Sequence, residues 1–333
     1  MADGERSGGA DGSGPRLRSY RGGARRAARL STPGEIAQRL SQLEQQVEAA
    51  LAGARLPEAV GLRGTLDDVL AAYAGWRRLV FPDGPATEIG ELGLRALYRY
   101  WWRVDAKGLE RIPSRGRVLL VSNRAGALLP FDAFMIGVAL AADHPTGRRA
   151  RPLVDEWVTD LPLVGQTLGR LGALPATPRS LRRVLGDDQA AIVFPEGTDA
   201  CAKPFNRRYR LGRFGRGALL RVALETRTPI VPIAVIGAEE TQPVLWRLER
   251  LGRSLGLPAI PVTPTFPLLG VLGLVPLPTK WTIHVGEPLD TAATFPTGVT
   301  DAATVRHLRE ALRERLQGLV TEGLRRRRSI FLG

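Results

Sequence analysis

Two short polar blocks, each directly after a predicted strand, hold the residues best suited to chemistry. The first runs from Asn123 and Arg124 to Asp132, and the second is Phe-Pro-Glu-Gly-Thr at 194–198. Basic side chains follow the second block, namely Lys203, Arg207, Arg208, Arg210, Arg213 and Arg216. Guanidinium groups match phosphate oxygens and turn amides add donors, so this pattern predicts a site for a phosphate or phosphorylated head group. The alternative is a solvated turn followed by a charge run.

The elements that must position these blocks are short apolar runs separated by helical patterns. Strands are predicted at 117–122, 190–194, 229–236 and 281–285, and a helix at 131–142. This alternation predicts an α/β fold with a mixed, mainly parallel sheet flanked by helices. Ligands of such sheets gather at the loops after the strands, so the two blocks are expected to face each other.

The flanking segments divide the chain into four predicted regions. Residues 1–34 have the composition of a disordered basic arm. Apolar spacing predicts helices near 35–55 and 65–80, within a helical N-terminal extension that ends at residue 102. The α/β domain is expected at 103–296. Residues 297–333 then form an amphipathic helix over 302–324 and a tail that contains four arginines in a row.

An aromatic face is predicted within residues 87–104. At 100° per residue one arc collects Leu94, Leu97, Tyr98, Trp101 and Trp102, and arginines lie along its flank. Aromatic side chains beside basic ones suit a membrane interface. The alternative is that the aromatics cover the edge of a core and the arginines are solvated.

Composition narrows the class of protein. The net charge of +14 over 333 residues favours anionic partners, but no zinc-finger spacing or aromatic ribonucleoprotein motif is present, so nucleic acid is not expected. The single cysteine, Cys201, excludes an intrachain disulfide and a four-thiolate zinc site. No signal-peptide pattern and no run of about 18 apolar residues occurs. We therefore expect a cytoplasmic protein that binds the inner face of a membrane peripherally.

From about Val104 to Asp290 the chain resembles the glycerolipid acyltransferases, also called lysophospholipid acyltransferases. The resemblance rests on the Phe-Pro-Glu-Gly-Thr turn, on Leu-Pro-Leu-Val-Gly at 161–165 and on Pro-Ile-Val-Pro-Ile-Ala at 229–234. A Phe-Gly-Arg-Gly turn at 214–217 is similar to one branch of that family. The resemblance implies an α/β acyltransferase fold and transfer of a fatty acyl group from a thioester to a hydroxyl of a glycerolipid or lysophospholipid.

The first block departs from the family pattern. Members usually carry Asn-His with an Asp five residues after the His, where the imidazole acts as the general base. Here Asn123 is followed by Arg124, and Asp132 lies eight residues further on. A guanidinium cannot accept a proton near neutral pH, so Arg124 is expected to pair with Asp132 or to hold a phosphate. Asp132 could also be only a favourable acid at a helix start.

No other residue is an obvious replacement for the missing base. His144 is expected too far along the helix from Asp132, and His307 is expected to be solvated. His284 could enter a cleft or face solvent. Glu196 could serve if a dry pocket raised its pKa.

Two functions remain open from the sequence. In the first, the chain is an acyltransferase of phospholipid biosynthesis, with Asp132, Asn123 and Arg124 at the reaction centre and either an unidentified base or the lipid's own phosphate as proton acceptor. The expected substrate-binding residues are Glu196, Gly197, Thr198, Lys203, Arg208, Arg210 and Arg216. Acyl-CoA or acyl carrier protein would be the co-substrate, and no metal or resident cofactor is expected. In the second, it is a catalytically silent relative that binds lipid or acyl carrier.

Overall fold

The computed structural model describes residues 86–332 except 127–128, 162–163, 202, 216, 255–256, 267, 270–272, 274 and 296–300. The predicted arm at 1–34, the helices near 35–55 and 65–80, and Arg216 lie outside these residues. Its strands are β1 Asp105–Lys107, β2 Val118–Ser122, β3 Ala150–Val154, β4 Leu174–Pro175, β5 Ala190–Val193, β6 Ile230–Ile236, β7 Trp246–Leu248, β8 Ile260–Val262 and β9 Thr282–Val285. Its α-helices are α1 Ala86–Ala96, α2 Phe131–Ala142, α3 Glu156–Thr159, α4 Val164–Arg170, α5 Pro178–Gly186, α6 Gly217–Glu225, α7 Glu249–Ser254, α8 Thr291–Thr294 and α9 Ala302–Arg326.

Seven strands form one mixed, mainly parallel sheet in the order β1-β9-β6-β2-β5-β3-β4. β9 is antiparallel to β6, and β1 is parallel to β9, whereas the other described pairings are parallel. β7 and β8 form a separate antiparallel pair. The predicted α/β class is therefore confirmed, and the predicted strands at 117–122, 190–194, 229–236 and 281–285 match β2, β5, β6 and β9.

Helices cover both faces of this sheet, which explains why its central strands are apolar throughout. Every residue of β2, β5 and β6 is buried. On one face α2 packs over the strands, and Trp102 stacks on Trp281 with ring centroids 4.3 Å apart. On the other face α5, α6 and the long α9 contribute the leucine and valine side chains of a second cluster. Strands buried on both sides need no polar alternation.

The carboxyl ends of β2, β3, β5 and β6 meet at one edge, here called the carboxyl edge of the sheet. Both predicted polar blocks leave the sheet there, after β2 and after β5. The opposite edge, where these four strands begin, is called the amino edge. This arrangement brings together residues that are separated by about 70 positions in the chain.

The aromatic segment differs from its prediction. Helix α1 ends at Ala96 and is followed by a π-helical turn over Leu97–Trp101, in which the Trp102 amide donates to the carbonyl of Leu97 at 2.9 Å. The wider turn shifts the side-chain phase, so Trp102 is fully buried in the core and Trp101 is 38% exposed. Leu94, Tyr98 and Trp102 are all buried, so the membrane-facing assignment was wrong for these three side chains and the alternative of a core edge holds for them.

No helix among the described residues is both long and apolar enough to cross a bilayer.

Candidate functional site

A buried ion pair occupies the first polar block. Arg124 leaves the end of β2 and Asp132 lies in the first turn of α2, where a carboxylate is favoured by the helix dipole. Arg124 Nη1 donates to both carboxylate oxygens of Asp132, at 2.6 and 2.7 Å. The Arg124 side chain is 3% exposed and that of Asp132 is fully buried. The pair is therefore shielded from water on all sides.

The backbone saturates the remaining acceptor capacity of Asp132. The amides of Ala125 and Gly126 donate to its Oδ2 at 2.9 and 2.8 Å, and that of Ala133 donates to its Oδ1 at 2.9 Å. The loop approaches so closely that a Cβ on Gly126 would lie 2.7 Å from the Leu129 carbonyl oxygen and 2.8 Å from Arg124 Nη1. Glycine at this position lets the loop wrap around the carboxylate.

The ion pair offers no free site that could accept a proton from a substrate hydroxyl. Burial alone would lower the pKa of Arg124, but the adjacent Asp132 carboxylate and the Cys201 thiol outweigh burial and raise it above its usual range. Arg124 thus stays protonated. Because both oxygens of Asp132 are occupied, the carboxylate has no free side to offer an acceptor hydroxyl.

Asn123 joins two strands. Its side-chain Nδ2 donates to the Val235 carbonyl at 2.9 Å, and its Oδ1 accepts from the Val235 backbone amide at 2.8 Å. The side chain therefore ties the end of β2 to β6, and it positions the loop that follows.

Glu196 connects the two polar blocks directly. Its Oε2 accepts from the Arg124 amide at 3.0 Å, and its Oε1 accepts from the Gly212 amide at 2.7 Å. The expectation that the two blocks face each other is met by this contact. By accepting from both amides, Glu196 holds the two loops in register.

Lys203 lies between two carboxylates at this edge. Its Nζ is 3.6 Å from Glu196 Oε1 and 3.2 Å from Glu239 Oε1, and the Tyr209 amide donates to Glu239 Oε2 at 2.7 Å. Burial raises the pKa of Glu239 to about 7, although Lys203 and the Tyr209 amide oppose the shift. Lys203 was expected to hold substrate, but the structure places it in this internal network.

The turn after β5 is held by its own hydrogen bonds. The Gly197 amide donates to the Phe194 carbonyl at 3.1 Å, and Thr198 Oγ1 donates to Asp155 Oδ1 at 3.2 Å. Asp155 also lies 3.9 Å from Cys201 Sγ. Burial raises the pKa of the Cys201 thiol, against the effect of the nearby Arg124. The thiol is therefore a poor nucleophile.

Asp155 and Cys201 were not identified as site residues from the sequence. Their only signals were that Asp155 directly follows β3 and that Cys201 is the sole thiol.

The space beside the ion pair is small. A cavity of about 10 Å³ is lined by Arg124, Pro130, Phe194 and Asp155 together with side chains of β3 and α3. That volume is at most enough for one water molecule.

The trailing arginines form a different feature. Arg208 and Arg210 are exposed and line a groove of about 610 Å³ with Arg327 and Arg328 from beyond α9. Arg327 pairs with Glu240 at 2.5 Å. A series of contacts links the groove to Arg124. It runs through Tyr209, Glu239, Lys203 and Glu196. The groove lies beside the carboxyl edge, and none of its lining residues belongs to the two polar blocks.

The three histidines are placed away from the ion pair. His144 Nε2 contacts the Ile112 carbonyl at 3.0 Å, and His307 is exposed, as expected. His284 neither enters a cleft nor faces open solvent, because its ring packs against Gly323 of α9. Burial lowers its pKa. Among the described residues no group of three His, Cys, Asp or Glu side chains is placed to hold a metal ion.

The segment that contains this site matches a known protein family. Residues 103–236, which carry both polar blocks, match a family described as "Acyltransferase". Uncharacterised proteins of Mycobacterium tuberculosis and Mycobacterium bovis are 43% identical over 240 residues, which is 72% of this chain and 67% of theirs. One from Mycobacterium leprae is 42% identical over 72% of this chain and 65% of its own.

A crystal structure of a 1-acyl-sn-glycerophosphate (LPA) acyltransferase from Thermotoga maritima aligns with a TM-score of 0.47 and 20% identity, over 78% of this chain and 90% of that one. The family match across both polar blocks is the finding that classifies the protein: this chain belongs to the acyltransferase family.

Proposed function

We propose that this protein transfers a fatty acyl group from an acyl thioester, either acyl-CoA or acyl carrier protein, to a hydroxyl of a glycerolipid that carries a phosphate monoester. The observation that supports the proposal most is the contact between the Arg124 amide and Glu196, because it assembles both polar blocks of an acyltransferase-family chain at one edge of the sheet.

The proton acceptor in this proposal is the substrate. The hydroxyl oxygen attacks the thioester carbonyl, the new C–O bond forms as the C–S bond breaks, and the thiolate leaves as a thiol. Arg124 and Asp132 cannot take the hydroxyl proton, whereas a phosphate monoester, with a second pKa near ~6, can accept it and pass it to the leaving thiolate. Lysophosphatidate has both the hydroxyl and the monoester.

Arg208 and Arg210 provide the phosphate contact in this account. Both side chains are exposed at the groove on the carboxyl edge, and guanidinium groups pair with phosphate oxygens in a two-point geometry. Replacing both by alanine should raise the KM for lysophosphatidate. Arg117→Ala is the matched control, since Arg117 pairs with Asp188 at the opposite edge.

The membrane contact is proposed at a patch formed by Tyr100, Trp101, Ile330, Phe331 and Leu332. All five side chains are exposed, and Arg103 connects the two segments by donating to the carbonyls of Trp101 and Phe331, each at 2.7 Å. The arginines at the end of α9, residues 325–328, precede Ile330 by only a few positions in the sequence. Aromatic side chains with nearby arginines suit an anionic bilayer surface.

Liposome sedimentation tests the patch. Binding to anionic vesicles should fall with Tyr100→Ala/Trp101→Ala and with added salt, because both apolar insertion and charge attraction are lost. Trp246→Ala is the matched control, since Trp246 is 72% exposed elsewhere. Unchanged binding in the double variant would exclude this patch.

The geometry around the ion pair favours a second candidate function. The closed ion pair and the cavity of about 10 Å³ fit a catalytically silent relative that binds lipid or acyl carrier. In that case the guanidinium has replaced the catalytic imidazole and serves only to keep the loop folded.

A thiol-release assay with acyl-CoA separates the two candidates. The proposal predicts turnover by the wild-type protein with lysophosphatidate and none with monoacylglycerol, which lacks the phosphate. The silent candidate predicts no wild-type turnover with either acceptor and a gain in Arg124→His, provided that circular dichroism shows the variant to be folded.

A further inference from the structure

The amino edge of the sheet contains a second cavity, separate from the candidate site. It has a volume of about 450 Å³ and lies between α2 and the segments that precede β2, β3 and β5. The cavity shares no lining residue with the small space beside the Arg124–Asp132 pair. Its volume is in the range of small-molecule pockets, about 300–1,000 Å³.

One wall of this amino-edge cavity is basic. Its guanidinium groups come from separate parts of the chain, namely Arg95, Arg115, Arg148, Arg149 and Arg151. Two acids also line it, but Glu91 pairs with Arg149 at 3.6 Å and Asp188 pairs with Arg117 at 3.4 Å. Among the described residues the other four arginines have no carboxylate within ion-pair distance. The cavity therefore carries a surplus of positive charge.

Arg148 is the least expected member of this set. It is 8% exposed, and within the described part of the chain its guanidinium donates only to backbone carbonyls, those of Gly116 and of Arg115, the latter at 3.5 Å. Burial lowers its pKa, since no acid offsets the lost hydration. A buried cation without a counter-charge is costly, and an anionic ligand would supply one.

The other wall of the cavity is apolar, and the surface of α2 forms the cavity floor. Leu94, Phe134, Val138, Ala141 and Leu171 line it. Gly137 lies between them in α2, and a Cβ added there would meet nothing within 4 Å. Glycine inside a helix costs roughly 0.5–1 kcal/mol relative to alanine. Packing does not require this glycine, and its lack of a side chain leaves this part of the cavity open.

We propose that the amino-edge cavity binds a phosphate-bearing small molecule whose remainder is apolar or aromatic. The phosphate contacts Arg148 and the neighbouring guanidinium groups, which suit its oxygens in planar, two-point geometry. The apolar remainder covers Phe134 and Val138 over Gly137. This site is independent of the acyl transfer proposed above.

Isothermal titration of the full chain, without acyl donor, tests the site. The probes are adenosine 3′,5′-bisphosphate, a short-chain lysophosphatidate below its micelle concentration, and inorganic phosphate. We expect at least one organic probe to bind at least 10-fold more tightly than inorganic phosphate, and which one does so distinguishes a nucleotide source from a lipid source. Equal affinities for all three, or no binding, would overturn the proposal.

Variants locate the binding. Gly137→Leu should fill the floor and raise the Kd of the organic probe at least 10-fold, and Gly318→Leu is its control, because Gly318 is also helical with open space around it but lies outside the cavity. Arg115→Ala/Arg151→Ala removes two exposed guanidinium groups without disturbing the core and should have a similar effect. Arg182→Ala removes an exposed guanidinium that lies outside the cavity and should leave the Kd unchanged. Loss of binding in Arg208→Ala/Arg210→Ala, with Gly137→Leu and Arg115→Ala/Arg151→Ala unaffected, would assign the probe to the carboxyl edge and contradict the proposal.

Discussion

Each of the two edges of the sheet contains a buried guanidinium, and the two groups differ in their hydrogen-bond partners. At the carboxyl edge Arg124 donates twice to Asp132, and backbone amides complete the carboxylate's shell. At the amino edge Arg148 is nearly as buried but contacts only carbonyl groups, beside a cavity of about 450 Å³. The charge at the carboxyl edge is therefore compensated within the protein, whereas the charge at the amino edge is left for an anionic ligand from solution.

The largest effect is expected from breaking the internal pair. Asp132→Ala leaves the buried Arg124 cation without its partner and should lower the free energy of unfolding by about 3–5 kcal/mol, measured by urea denaturation. The double variant Arg124→Met/Asp132→Leu removes both charges and should recover most of that loss. A loss below about 1 kcal/mol in Asp132→Ala would show that the pair is not a closed unit.

A pH-dependent effect is expected at Glu239, which lies in the network of the carboxyl edge. Its folded pKa of about 7 exceeds the unfolded value of 4.5, so the stability linked to its protonated form is present below pH 4.5 and is lost as pH rises through about 7. At 1.36 kcal/mol per pKa unit the loss approaches about 3 kcal/mol. Glu239→Gln should flatten this decline between pH 5 and pH 8, and Glu225→Gln, at an exposed ion pair, should not.

A smaller effect is expected from neutralising the amino edge. Arg148→Met removes a buried cation that has no carboxylate partner, and the gain in desolvation offsets the lost contacts with two carbonyls. The free energy of unfolding in ligand-free buffer should change by no more than about 1 kcal/mol. A loss as large as that of Asp132→Ala would mean that Arg148 is as well compensated as Arg124 and would erase the contrast.

The smallest effect concerns the floor of the amino-edge cavity. Gly137→Ala should raise the free energy of unfolding by about 0.5–1 kcal/mol, because alanine is the better helix residue and its Cβ meets no neighbour. Gly126→Ala at the other edge should destabilise, since its Cβ would collide with Leu129 and Arg124. If Gly137→Ala also destabilises, the space above α2 is not open in solution.

Much of the fold could be predicted from the sequence because its central elements are long apolar runs. Helix α2 begins and ends where predicted, and α9 extends only two residues beyond the prediction. β3 was missed, since it contains Arg151 and Pro152 and has no continuous apolar pattern. The π turn after α1 was also missed. It depends on packing of Trp102 against Trp281, which lies far away in the chain.

The site was predictable only in part. The contact between the two polar blocks was predictable because both blocks follow the ends of parallel strands. The Arg124–Asp132 ion pair was one of two roles expected for the guanidinium. The partners of Glu196 and Lys203 could not be foreseen, because Gly212 and Glu239 reach them through loop conformation. The amino-edge cavity had no signal either, since its arginines come from α1, from the segment before β2 and from the region around the start of β3, and share no motif.

In the proposed acyl transfer the substrate itself supplies the proton acceptor, because the buried Arg124–Asp132 ion pair occupies the position of the catalytic base. The most direct measurement compares wild-type acylation of lysophosphatidate with that of its methyl phosphodiester, with product quantified by mass spectrometry. The account predicts that the monoester reacts at least ~10²-fold faster, as expected for loss of a general base. Equal rates for the two acceptors, or no product from either, would contradict it.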